Sequence, residues 1–276
     1  MKFKIAADSS SNIFSFSGVD YACAPLTVIT AEKQYPDTPD LDVEAMIDDL
    51  KTVEGKTSTS CPNVQDWLDA FEGADGIFAV TITSNLSGSY ASCVNARDVF
   101  RQDHPDVKIS VLDTLSTGPE MVLIIEKLRE LIHSGHNFET IDRLIREYMT
   151  QTHLSFVLAS LTNFARNGRV SPLVAKMVGV LGIRLVGVAS DVGTLEPLHK
   201  SRGEKKAMEA LYNDMKERGF RGGKVRLAHC RNESYANNLK DLIHSEFPQC
   251  DVTIIPCGAL CSYYAEEGGL LVGYEG

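Results

Sequence analysis

The chain has 276 residues, 43% of them hydrophobic and 23% charged, and a formal net charge of −10. That composition suits a globular protein with room for one large or two modest domains, each with a buried core. The acidic balance, with no dense basic run, argues against nucleic acid and anionic membrane surfaces as partners, because both require a positive footprint.

Residues 1–12, MKFKIAADSSSN, enter a strand-like run at once and contain no long apolar stretch, so no signal peptide is expected. The most apolar region, residues 173–189, is interrupted by Lys176, Arg184 and several glycines, so no membrane insertion is expected. Seven scattered cysteines fit a reducing compartment, and the chain reads as cytoplasmic.

Residues 2–7 (KFKIAA) form a first strand that ends in the polar cluster Asp8-Ser9-Ser10-Ser11-Asn12. Residues 25–30 (PLTVIT) are β-rich, and 34–40, with Pro36 and Pro39, read as turn. Val43, Met46, Ile47 and Leu50 have helical spacing behind Asp42, a cap for a helix over 42–53. A hydroxyl-rich loop at 57–63 then precedes a helix over 64–71. The apolar run 76–80 feeds TITSNLSGSYAS (81–92), whose second half opens a helix reaching about Gln102. A strand over 108–112 leads into a third Ser/Thr loop, 113–118, with Pro119 placed to start the next helix. That helix ends near Gly135, and Asn137 caps another reaching about Thr152. Strands alternating with helices argue a mostly parallel sheet flanked by helices.

A second set of elements starts near 156–159. It comprises a loop over 163–169, a helix over 173–180 behind Ser171-Pro172, and strands over 183–189 and 194–198. A helix over 203–218, a strand over 225–230, a helix over 235–247 and a strand over 252–255 follow. A short helix after Pro256 and a strand over 270–273 close the chain. The expectation is two α/β domains, 1–152 and 153–276, with a ligand between them.

In open α/β sheets, ligands lie beyond the C-terminal ends of the strands. The loops 8–12, 57–63, 84–88 and 113–118 are all rich in Ser, Thr or Asn and are expected on that edge. Singly, each is explained by helix capping; together they suggest a pocket floor of neutral donors suited to a phosphate or carboxylate. The chain has no G-x-G-x-x-G after its first strand, no phosphate-binding G-x-x-x-x-G-K-[ST] and no G-x-S-x-G elbow. His133 and His136 sit at a helix end beside Gly135, where solvated histidines are common, and no metal or cofactor is expected. Asp8 and Asp113 are candidate catalytic carboxylates, with an Asx-type bond inside the loop as the plainer reading. Arg169, in Asn167-Gly168-Arg169-Val170-Ser171, is either a surface ion pair or a guanidinium facing an anion at the cleft.

In order and spacing these loops resemble the DegV family of bacterial fatty-acid-binding proteins. Asp8-Ser9-Ser10-Ser11-Asn12-Ile13 is similar to the family's D-S-T-x-D-[LI], and Lys56-Thr57-Ser58 to the start of K-T-S-Q-P-S. Ser84-Asn85-Leu86-Ser87-Gly88-Ser89-Tyr90 resembles S-x-x-L-S-G-T-Y. Residues 113–118 resemble D-[ST]-x-x-x-S-x-G, and Gly168-Arg169-Val170-Ser171 resembles G-R-[IV]-S.

The resemblance implies a non-enzymatic carrier that buries one long-chain fatty acid between two domains. The carboxylate would be held by Thr57, Ser58, Ser84 and Asn85, with Arg169 near it or near a partner. It also implies, as in some members, delivery to an ATP-dependent fatty-acid kinase. Two departures stand out. Q-P-S is Thr59-Ser60-Cys61 here, and the family's C-terminal H-T-G-P-G-A-L-G is reduced to residues 254–261, IIPCGALC, without its histidine. The competing reading is an enzyme acting on a small phosphorylated or carboxylated metabolite in the same cleft.

Overall fold

The strand β1 (Phe3–Asp8) is buried from Lys4 onward and lies inside a parallel sheet. The computed structural model describes residues 1–175, 178 and 182–276. After β1 come β2 (Asp20–Ala24), β3 (Thr27–Ile29), β4 (Gln34–Pro36), α1 (Val43–Thr52), β5 (Ser58–Ser60) and α2 (Val64–Phe71). Next are β6 (Gly76–Thr81), α3 (Ser89–Asp103), β7 (Lys108–Asp113), α4 (Pro119–His133) and α5 (Phe138–Met149). The second half holds β8 (Thr152–Leu158), α6 (Thr162–Arg166), α7 (Pro172–Ala175), β9 (Ile183–Ala189), β10 (Leu195–Arg202) and α8 (Glu204–Glu217). It ends with β11 (Lys224–His229), α9 (Glu233–Glu246), β12 (Asp251–Pro256), α10 (Ala259–Ala265) and β13 (Leu270–Glu275).

Local chemistry accounts for the starts of α1, α2, α4 and α5. Asp42 accepts from the Ala45 amide, Asn137 from Thr140, and Asn63 with Asp66 forms a capping box on α2. Pro119 opens α4, as its position in the sequence suggests.

The parallel sheet has the order β2-β1-β6-β7. Trp67, Phe71 and Phe100 from α2 and α3 cover one face, and α4 with α5 covers the other. A six-stranded sheet, β10-β9-β8-β13-β11-β12, is antiparallel except for the β11–β12 pair. Its outer face packs on α8 and α9. Helix α4 is the shared layer, touching β1 and β6 on one side and β8, β11 and β13 on the other. That explains why residues 119–125 are buried without interruption: a helix between two sheets has no solvent face. Across this layer Arg226 of β11, 5% exposed, holds Glu126 of α4 in a two-pronged ion pair at 2.9 and 2.8 Å.

Several sequence expectations are corrected. Residues 34–36 form the strand β4 rather than a turn, and 58–60 form β5 rather than loop; both pair antiparallel with β3. Such short polar strands carry little signal of their own and form because β3 offers both edges. β2, which the sequence reading omits, is a parallel edge strand beside β1. α5 stops at Met149, and Thr152 starts β8 instead of ending the helix. The 163–169 loop contains the helical turn α6. Of the helix expected over 173–180, α7 is seen through Ala175, and 176, 177, 179 and 180 lie outside the described residues.

The three-stranded sheet and α1, though early in the chain, share a core with α10, β8 and β9 through Val28, Met46, Phe156, Leu185 and Tyr263. The two halves therefore interleave.

Candidate functional site

A partly open cavity of about 280 Å³ lies where the loops after β6 and β7 face the inner side of the six-stranded sheet. Leu154, Phe156 and Leu158, alternating along β8, form one wall with Leu271 of β13. Leu26, Ile82, Leu86 and Leu115 face them from the first half of the chain. α10 closes a third side with Leu260, Cys261, Tyr264 and Ala265. Polar groups reach the lining as the hydroxyl residues Thr59, Ser60, Thr83, Ser87, Ser116, Thr117 and Thr194. Among the described residues Arg169 is the one charged lining group, and no Asp or Glu lines the cavity.

Carboxylates behind the wall, Asp8 and Asp37 buried and Asp113 partly exposed, hold these loops in place. Asp8, fully buried, accepts from the Ile82 amide at 2.9 Å, Ser89 Oγ at 2.6 Å and Ser10 Oγ at 2.5 Å. Its carboxyl is raised by burial, opposed by those donors. Asp113 Oδ1 accepts from the amides of Leu115, in an Asx turn, and of Ser84. Asp37 accepts from the Ala259 and Leu260 amides at the start of α10, so the chain's own carboxylate occupies that helix end. Burial pushes its pKa up to about 6.

The five residues singled out from the sequence are not gathered at one point. Arg169 lines the cavity; its Nε donates to the Leu86 carbonyl at 3.2 Å and its Nη1 to the Asn167 carbonyl. Thr57 is buried outside the lining, its hydroxyl 2.6 Å from that of Tyr263. Ser58 is exposed, because the β5 pleat turns its neighbour Thr59 toward the cavity instead. Thr59 also hydrogen-bonds, at 2.9 Å, the hydroxyl of Tyr264. Ser84 is exposed, with its amide on Asp113. Asn85 Nδ2 donates to the Val192 carbonyl at 2.7 Å, a cross-link from the β6 loop to the turn before β10. Neither Ser84 nor Asn85 caps α3, whose N-cap is Gly88 with no side-chain bond.

Of the four hydroxyl loops, three follow β1, β6 and β7 of one parallel sheet, whereas 57–63 comes from the antiparallel three-stranded sheet. This corrects the expectation of a single sheet edge. Gly88 lets that sheet approach: a Cβ there would sit 3.1 Å from Cys61 Sγ. The sequence reading did not single out Tyr263, Tyr264 or the β8 wall; the alternation Leu154, Phe156, Leu158 was the available signal for the last.

Thiols reach the lining at Cys61 and Cys261; burial raises both, Cys261 to about 12, which keeps them protonated. His133 bonds the Gly18 carbonyl at 2.6 Å. Among the described residues no cluster of His, Cys, Asp and Glu is arranged for a metal ion, and no helix is long and apolar enough to cross a membrane.

Fold and cavity define an α/β protein built around an apolar chamber with, among the described residues, one cationic group on its wall. The chain belongs to the DegV family: the family model described as "Uncharacterised protein, DegV family" matches residues 2–275. A DegV domain-containing protein of Streptococcus pneumoniae is 43% identical over 279 residues, covering 100% of this chain and 99% of that one. The crystal structure of the S. pneumoniae Fatty Acid Kinase (Fak) B3 protein loaded with linoleic acid is similar with a TM-score of 0.98 and 43% identity, over 100% and 99% of the two chains. A DegV family protein from Eubacterium eligens loaded with heptadecanoic acid has a TM-score of 0.97 and 42% identity, over 99% of each chain.

Proposed function

We propose that this protein binds one long-chain fatty acid in the chamber between two domains, 1–152 and 153–276, and acts as a carrier without chemistry of its own. The single observation that carries the reading is an apolar cavity whose one charged lining group, among the described residues, is a guanidinium. Apolar walls favour an acyl chain by roughly 0.8 kcal/mol per buried CH₂. A carboxylate taken into that chamber needs donors, and Arg169 with the hydroxyl of Thr59 supplies them. Thr57 and Asn85 support that contact from behind, Thr57 through Tyr263 and Asn85 through its bond to the Val192 turn, whereas Ser58 and Ser84 are exposed. The kinship with a protein named for a fatty acid kinase supports an ATP-dependent fatty-acid kinase as the partner that receives the acid.

Native mass spectrometry of the purified protein, followed by denaturation and lipid identification, tests the reading. A stoichiometric fatty acid is expected; a protein that stays empty when offered oleate or palmitate would sink it. Arg169→Ala should weaken retention on the order of tenfold or more, since a hydrogen bond to a charged group contributes about 1.5–3 kcal/mol. Ser84→Ala, exposed and away from the lining, should change it far less. Equal losses in the two variants would place the carboxylate elsewhere.

A further inference from the structure

On β9, Gly187 stands directly opposite Phe156 of β8. Its neighbours on the same face, Leu185 and Ala189, point to the inner core and the cavity. A Cβ on Gly187 would lie 2.6 Å from both Cε2 and Cζ of Phe156, and 2.4 Å from the Glu196 carbonyl oxygen. Carbon atoms in good contact are about 3.5–4.0 Å apart, so the ring fills the space a side chain at 187 would take. Gly187 is not among the glycines with positive φ, so its backbone would accept other residues. The ring and the Glu196 carbonyl are what require glycine there. Phe156 is itself cavity lining, between Leu154 and Leu158, so the ring lies sideways across β9 at the middle of the β8 wall.

We propose that Phe156 and Gly187 together set the bore of the chamber and thereby select acyl chains by shape. With the ring laid over Gly187, the chamber keeps its breadth beside the middle of β8. Any side chain at 187 would lift the ring into the chamber, and a small residue at 156 would widen it. This inference rests on the fatty-acid reading and specifies which chains fit. A cis double bond kinks an acyl chain, so an unsaturated chain needs more breadth than a saturated one of equal carbon number.

The test offers an equimolar mixture of oleate and stearate to the full-length protein and reads the bound acids by native mass spectrometry with lipid identification. Phe156→Ala should raise the oleate-to-stearate ratio by on the order of tenfold over the unmodified chain, the discrimination a pocket makes over about one methylene. Gly187→Ala should lower the ratio. If Gly187→Ala does not fold, Phe156→Ala decides alone. An unaltered ratio in a Phe156→Ala protein that still binds acid would overturn the inference and leave the fatty-acid reading standing. An unmodified protein that takes up neither acid would overturn both.

Discussion

Glu120 offers a test of how the two sheets are joined. It lies in the first turn of α4, 5% exposed, and accepts from Ser116 Oγ at 2.5 Å and Thr152 Oγ1 at 2.8 Å. Ser116 lines the cavity, and Thr152 is the first residue of β8, so one buried carboxyl ties the cavity loop to the second sheet. Burial raises its pKa from the ordinary 4.5 to about 7, against the pull of the two hydroxyls.

The folded protein therefore keeps a proton on Glu120 in a range where the unfolded chain has released it. The folded state binds more protons there, so stability falls as pH rises from 4.5 through about 7. At 1.36 kcal/mol per pH unit, that interval makes the ionised carboxyl cost about 3 kcal/mol at alkaline pH. Glu120→Gln preserves the shape and the hydrogen-bonding partners but cannot ionise. Urea denaturation at about pH 5 and about pH 8 should find the variant near the parent at the lower pH and more stable by about 3 kcal/mol at the higher. Asp37, pushed up to about 6, titrates in both proteins and cancels in the difference. A stability difference that is the same at both pH values, or a variant less stable at the higher one, would refute the reasoning.

Two further perturbations address the joints between the halves. Arg226→Met strands Glu126 in the α4–β11 interface, and the expected loss is about 3–5 kcal/mol by denaturation. Adding Glu126→Leu should recover much of it, because the carboxylate then left without Arg226 is Asp251, whose side chain is about half exposed to water. Gly193 has φ +74°, and a Cβ there would meet Thr83 Oγ1 at 2.2 Å. Gly193→Ala should lift the 190–194 turn off the cavity rim, at roughly 1–2 kcal/mol for the left-handed backbone alone. Faster proteolytic cleavage at that turn, with cleavage elsewhere unaltered, is the expected readout.

The helices were largely legible from local chemistry. Asp42 and Asn137 cap where their side chains suggest, since a cap bonds within three residues of itself; the capping box of Asn63 with Asp66 was not singled out. β6, β7 and β9 were equally plain as short, β-rich apolar runs. β4 and β5 were not, because Gln34–Pro36 and Ser58–Ser60 become strands only when β3 pairs with both. Arg169 was legible as a charge at the join of the halves, and it does reach the cavity wall. That Thr59 rather than Ser58 faces the cavity depends on the pleat of β5, which no spacing along the chain announces.

By itself, then, the amino-acid sequence determined the α/β alternation, most helix ends, the family and the absence of the phosphate-binding fingerprints. Each of these is written in a periodicity or a motif a few residues long. Only the tertiary structure decided which hydroxyls face the chamber, that α10 and the three-stranded sheet close it, and that Phe156 lies on Gly187. The physical reason is range: caps and periodicity act over a turn or two of chain. A cavity wall is made of contacts such as Thr59 with Tyr264, 205 residues apart, which exist only once both sheets have packed.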